Sequence, residues 1–140
     1  MRIARRYSRP VQEKSSAEVR RAAAFRVALR EFVRESEHAA REARLTPQRY
    51  LLLLLVKGAE DGTERATISE LCRRLHLAQS TVTELVNRAA DAGLVRRQAS
   101  ATDGRVVYVE LTDEGDRRFA EAFEALAGER RSLRKVVTKL

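Results

Sequence analysis

The chain has 140 residues, 44% of them hydrophobic and 34% charged, the size and balance of one ordinary globular domain rather than a disordered polymer. Its single cysteine excludes a disulfide framework and a multi-cysteine zinc site. Its longest apolar run, Leu51–Val56, is far short of the about 20 residues a membrane helix needs. The net charge of +8 points to an anionic partner, and no apolar leader segment follows Met1 and Arg2, so a cytoplasmic protein with no membrane partner is expected.

Residues 1–14 hold four arginines, Lys14 and Pro10 with little apolar content, and read as a flexible basic arm. A helix is predicted from about Ser15 to residue 44, capped by Ser16, with Ala22, Phe25, Leu29, Phe32, Val33, Ala40 and Ala43 as its apolar stripe. Its opposite face carries Arg21, Arg26, Arg30, Arg34 and Arg41 with Glu31 and Glu35, a row expected to be solvated. Thr46 and Pro47 open the next helix as cap and first residue, and the apolar segment 49–56 predicts burial on every side. Residues 58–65 read as a polar loop. Thr67 and Glu70 then form a capping box for a short helix with Ile68, Leu71, Cys72 and Leu75 on its buried stripe. His76-Leu77-Ala78 makes a tight turn, and a second helix runs from about Gln79 with Val82, Leu85, Val86 and Ala89 inward and Gly93 just past its end.

Residues 94–99 and 105–111 read as two strands about a turn containing Asp103 and Gly104. A helix opens after Thr112 with Phe119, Ala122, Phe123 and Leu126 on its stripe. Gly128 is expected to interrupt it before a last stripe of Leu133, Val136, Val137 and Leu140. The fold class is thus mainly α with a small β-wing: a winged helix-turn-helix over about 46–112, with further helices over about 15–44 and 113–140, all in one domain over 15–140.

Two short helices joined by a tight turn and followed by a hairpin suit a duplex, because a helix fills the major groove while the hairpin tip reaches the neighbouring minor groove. The outward face of the second helix carries Gln79, Ser80, Thr81, Thr83, Glu84, Asn87 and Arg88, and all but Glu84 are expected to contact DNA: hydroxyls for phosphates, and an amide and a guanidinium for base edges. The wing adds Arg97 and, at its tip, Arg105 with its guanidinium expected to be held by the Asp103 carboxylate two residues away, and the window 73–105 carries six arginines against three acids. The same features suit a protein-interaction module without specific DNA binding. Cys72 reads as a small buried hydrophobe. With His76 it supplies too few ligands for a metal, and Tyr50 and Tyr108 read as packing residues. No nucleophile–base set, acid pair or phosphate-binding glycine loop is present, so no catalytic residue and no cofactor is expected.

The stretch from Leu77 to Val95 resembles the recognition helix of MarR-family transcriptional regulators. The run Asp103-Gly104-Arg105 … Leu111-Thr112-Asp113-Glu114-Gly115 is similar to that family's D-x-R…L-T-x-x-G wing signature, and Thr46–Tyr50 resembles its second helix. The resemblance implies a homodimeric DNA-binding protein, typically a repressor. Its terminal helices would pair through Phe25, Leu29, Phe32, Leu133, Val136, Val137 and Leu140. It also implies release by a small aromatic or anionic effector whose site the sequence does not assign. Ala78 stands where the family has a small polar cap, so capping is expected to weaken or shift to Ser80. Only 25 residues follow Gly115, which is expected to abbreviate the C-terminal part of the interface.

Overall fold

The computed structural model describes residues 10–140, with side chains from residue 16. The elements in order are α1 (Pro10–Glu42), α2 (Pro47–Lys57), β1 (Arg65–Thr67), α3 (Ile68–Leu75), α4 (Gln79–Asp91), β2 (Val95–Ala99), β3 (Val107–Leu111), α5 (Asp113–Ala125) and α6 (Ala127–Val137). The chain divides into two compact units, Ser36–Ala125 on one side and the residues up to Glu35 with Leu126–Leu140 on the other.

Local signals set most helix starts. Thr46 sits in extended geometry and its Oγ1 accepts from the Arg49 N–H at 3.1 Å, with Pro47 opening α2. At α3 the capping box is complete: Thr67 Oγ1 accepts from Glu70 N at 3.2 Å, and Glu70 Oε2 accepts from Thr67 N at 3.1 Å. Thr67→Ala is therefore expected to lower stability by about 1 kcal/mol in a urea titration, through loss of one of these two bonds.

Three expectations are corrected. Helix α1 begins at Pro10, where proline's fixed φ suits a first turn, so residues 10–14 of the expected arm are helical. Residues 1–9 of that arm lie outside the described residues, and Ser16 is interior, its Oγ accepting from the Arg20 guanidinium at 2.8 Å. Arg65–Thr67, read as the end of a loop, form a third strand in the sheet order β1-β3-β2. The last helical break falls at Leu126 (φ −95°, ψ 7°), which is nearly fully buried, while Gly128 lies in the first turn of α6.

The core of the Ser36–Ala125 unit forms around α2, which packs against α3, α4, α5 and the sheet. Leu52, Leu53 and Val56 of α2, Leu71, Val82, Val86, Leu94 and Val109 are essentially inaccessible. The expectation of all-round burial for α2 is corrected too: Leu51 is 43% exposed, and Leu54 and Leu55 are half-buried. The end of α2 is closed from α3, since Arg74 Nη1 donates to the carbonyls of Leu55 and Gly58 at 3.2 and 3.1 Å. Tyr50 is buried with its ring 5.9 Å from that of Phe119, the packing role expected for it.

In the other unit, Phe25, Leu29 and Phe32 of α1 and Leu133 and Val136 of α6 are half-buried. Phe32, Leu133 and Val136 line a groove of about 670 Å³ whose polar edges include Arg34, Arg131 and Lys135. Val137 and Leu140 are 46% and 60% exposed, as are Val19 and Val27 of α1 at 62% and 57%.

Candidate nucleic-acid interface

The turn between α3 and α4 depends on a residue in the left-handed region. His76 caps α3 at φ 55°, ψ 42°, and its N–H donates to the Cys72 carbonyl. Cys72 itself is half-buried rather than sealed in the core. Ala78 is the N-cap of α4 and provides no side-chain bond, nor does the cap move to Ser80. The first-turn N–H groups of α4 therefore point outward with the positive end of the helix dipole and without an internal acceptor from the cap.

The outward face of α4 presents Gln79, Ser80, Thr81, Asn87 and Arg88 as exposed side chains, while Thr83 is half-buried at its margin. Glu84 is exposed on the same face, where the sequence places it, though outside the set expected to contact DNA. Its Oε1 lies 2.6 Å from Arg88 Nη2. At 100° per residue Glu84 falls between Asn87 and Arg88, in the middle of that face.

The wing holds β2 and β3 in antiparallel register, Arg97 opposite Val109 and Gln98 opposite Tyr108. Because facing directions alternate along a strand, Arg97 shares the sheet face of the buried Val109, and Arg96 lies on the other face, paired with Glu110 at 2.7 Å. Arg65 of β1 lays its guanidinium 4.0 Å from the Tyr108 ring centre, so Tyr108 too has a packing partner. The wing tip corrects one detail. Asp103 was expected to hold the Arg105 guanidinium, but its Oδ1 accepts from the Arg105 backbone N–H at 3.0 Å. This is an Asx turn, favoured because a carboxylate two residues back reaches the backbone more readily than a long, solvated side chain. Ser100 Oγ adds bonds from the N–H groups of Thr102 and Asp103 at 3.3 Å each, so the wing tip is shaped from its own backbone.

The wing is fastened to the rest of the unit at Thr112 and Gly115. Thr112 Oγ1 donates to the Gly93 carbonyl at 2.6 Å and accepts from Gly115 N at 3.1 Å, joining the end of α4 to the start of α5. Gly115 has no room for a side chain: a Cβ there would lie 2.0 Å from the Leu94 carbonyl oxygen. These contacts account physically for the threonine and glycine of the wing motif. Lys57 adds a polar tie, with Nζ 2.9 Å from Asp116 Oδ1 and 3.2 Å from Glu64 Oε2. Chiefly through its bond to Asp116, the ammonium's pKa is held above the ordinary lysine value.

The unit Ser36–Ala125 contains 13 basic and 15 acidic residues, so the surplus positive charge of the chain lies outside it. Within the expected basic patch, Arg73 and Arg74 pair with Glu60, Arg88 with Glu84 and Arg96 with Glu110. Arg97 and Arg105 remain exposed, with no carboxylate within 4.0 Å among the described residues. Of the six arginines in that patch, the two left without a carboxylate are therefore both on the wing.

Residues 45–106 match the MarR family model, which covers α2 through the wing turn. The winged helix of this chain is similar to that of the MarR family. The MarR match stops before Val107 and so leaves out the threonine and glycine of the wing motif. AdcR, a transcriptional regulator of Streptococcus pneumoniae, is 34% identical over 77 residues, 54% of this chain and 49% of that protein. MdtR, a transcriptional repressor of Bacillus subtilis, is 37% identical over 54 residues, 39% of this chain and 35% of that protein. The chain thus spans about half or less of these curated relatives. Its fold is similar to that of MarR from E. coli, with a TM-score of 0.66 and 19% identity over 81% of this chain and 82% of that one. A MarR cysteine-to-serine variant complexed with operator DNA gives 0.64 at the same identity, over 81% and 79% of the two chains. Among the described residues no group of three or more His, Cys, Asp or Glu is placed to hold a metal ion, and no helix is long and apolar enough to cross a membrane.

Proposed function

We propose that this chain is a sequence-specific regulator of transcription that binds double-stranded DNA in the cytoplasm as a homodimer on a pseudo-palindromic operator, and that it represses. The observation that carries the reading is the pairing of an exposed, side-chain-uncapped α4 with a wing whose Arg97 and Arg105 are unengaged by carboxylates. The fold likeness to MarR, which has been captured on operator DNA, supports it, as do relatives named as regulators and a repressor. Gln79, Ser80 and Thr81 would meet phosphates at the α4 terminus, with Thr83 beside them, while Asn87 and Arg88 read base edges. Arg97 and Arg105 supply charge from the wing, and Asp103 shapes its tip.

The dimer reading rests on apolar surface: Phe25, Leu29, Phe32, Leu133 and Val136 are only half-covered, and Val137 and Leu140 lie open. Light scattering at micromolar concentration is expected to return twice the chain mass. An effector of the small aromatic or anionic class would act at these terminal helices. A panel of aromatic acids should then contain one that shifts both thermal stability and operator affinity.

The direct test is selection of genomic fragments by the purified protein, which should recover a pseudo-palindrome with half-sites one helical turn apart. Binding without sequence preference or salt dependence would instead favour the protein-interaction module. Two variants sharpen the test. Arg105→Ala should lower the salt slope by about one unit with the half-site preference retained. Ala78→Asp should raise the midpoint of urea unfolding, worth roughly 0.5–2 kcal/mol, because it caps α4. The same change should weaken DNA binding, because its carboxylate takes the N–H groups and repels the phosphate that would use them. A stabilised variant with unchanged DNA affinity would show that the α4 terminus does not meet DNA.

A further inference from the structure

A carboxylate in the middle of a surface meant for a polyanion needs an explanation. Glu84 is exposed, stands between Asn87 and Arg88 on the outward face of α4, and holds the Arg88 guanidinium at 2.6 Å. Asp91 follows it two turns on along the same face, also exposed. A surface selected only for affinity would not place acids there, since each faces phosphates and the oxygen and nitrogen acceptors of the bases. The unit has no surplus of positive charge to offset them.

Building on the DNA-reading role proposed for α4, we infer that Glu84 is a specificity-determining residue that, together with Arg88, selects a G·C base pair in the major groove. One such pair displays both partners the two side chains need. Guanine O6 and N7 accept from an arginine, and the N4 amine of cytosine donates to a glutamate. On A·T in the same pose the carboxylate, placed over the pyrimidine, meets thymine O4, an acceptor it cannot satisfy, while Arg88 meets the adenine N6 donor where guanine offered O6, and a buried unpaired charge is costly. On any sequence without G·C there, Glu84 also keeps Arg88 engaged and withdraws one cation from the phosphates. The pair therefore penalises wrong sites as much as it favours right ones.

The experiment is selection from a randomised duplex library by the full chain and by Glu84→Gln, Glu84→Ala, Arg88→Ala and Asp91→Asn, followed by titration of each on its best site and on scrambled duplex over a salt series. The position is exposed, so melting curves should stay close to the parent and confirm folded variants. The parent should select G·C at one position of each half-site. Glu84→Gln should shift that position toward A·T, because a glutamine amide pairs with adenine N6 and N7. It should also bind scrambled duplex several-fold more tightly, with a salt slope steeper by up to about 0.9 unit. Arg88→Ala should lose the same position, and Asp91→Asn should raise scrambled binding without changing the sequence profile.

A Glu84→Gln profile identical to the parent's would overturn the inference while leaving α4 as a DNA reader. So would an Asp91→Asn profile altered at the same position. A parent that shows no preference in any duplex would overturn the DNA-reading role itself, and this inference with it.

Discussion

Gly115→Ala is expected to abolish the folded state, seen as loss of the cooperative thermal transition in circular dichroism. Two effects oppose each other at this site. Gly115 lies in the first turn of α5, where alanine gains at most about 1 kcal/mol of helix propensity over glycine. Against that, the new Cβ would sit 2.0 Å from the Leu94 carbonyl oxygen and 2.9 Å from its carbon. These are backbone atoms and cannot swing aside as a side-chain end can. Relief requires α5 to move away from Leu94, which would break the Thr112 bonds to Gly93 and Gly115 and disturb a fully buried leucine. A loss above about 4 kcal/mol is the scale of such combined overpacking and network failure, a large share of the stability of a small domain. A Gly115→Ala protein melting within a few degrees of the parent would show that the α5–Leu94 contact yields freely.

Leu53→Ala is expected to cost about 2–5 kcal/mol in urea unfolding. Leu53 has no accessible surface and belongs to the helix that packs against α3, α4, α5, β1 and β3, so the deleted methyl groups leave a void with little freedom to collapse. Leu51→Ala, two residues earlier on the same helix, removes the same atoms from a side chain already 43% exposed, and is expected to cost less than about 1 kcal/mol. The ratio of the two carries the argument, because helix propensity changes equally in both. Equal losses at Leu51 and Leu53 would mean that Leu51 is covered in solution.

The elements that were legible in the sequence are those whose causes lie within about four residues along the chain. Thr46 with Pro47, and Thr67 with Glu70, announced α2 and α3 because a cap acts on its own first turn. Gly93 marked the end of α4 because a positive φ is nearly free for glycine, and it adopts φ 75°. The stripes of α4 and α5 and the two long wing strands followed from side-chain periodicity alone. The polar residues proposed to read DNA could be placed on one face for the same reason.

What the tertiary structure decided depends on partners far apart in the chain. Arg65–Thr67 is too short for a period to show, and it is a strand only because Glu110, Val109 and Tyr108 pair with it. The run around Leu51 looked uniformly buried because hydropathy counts apolar residues and not the neighbours available to cover them. Asp103 and Arg105 were placed together by sequence, but whether the carboxylate takes the guanidinium or the backbone N–H is a competition settled in three dimensions. The arginines near the recognition helix looked like one basic patch until Glu60, Glu84 and Glu110 were found against four of them. Thus the caps of α2 and α3 and the stripes of α4 and α5 were settled along the chain, through short-range sterics and hydrogen bonds. Which cations remain free for a partner, and why Gly115 admits no side chain, were decided only when elements tens of residues apart came within bonding distance.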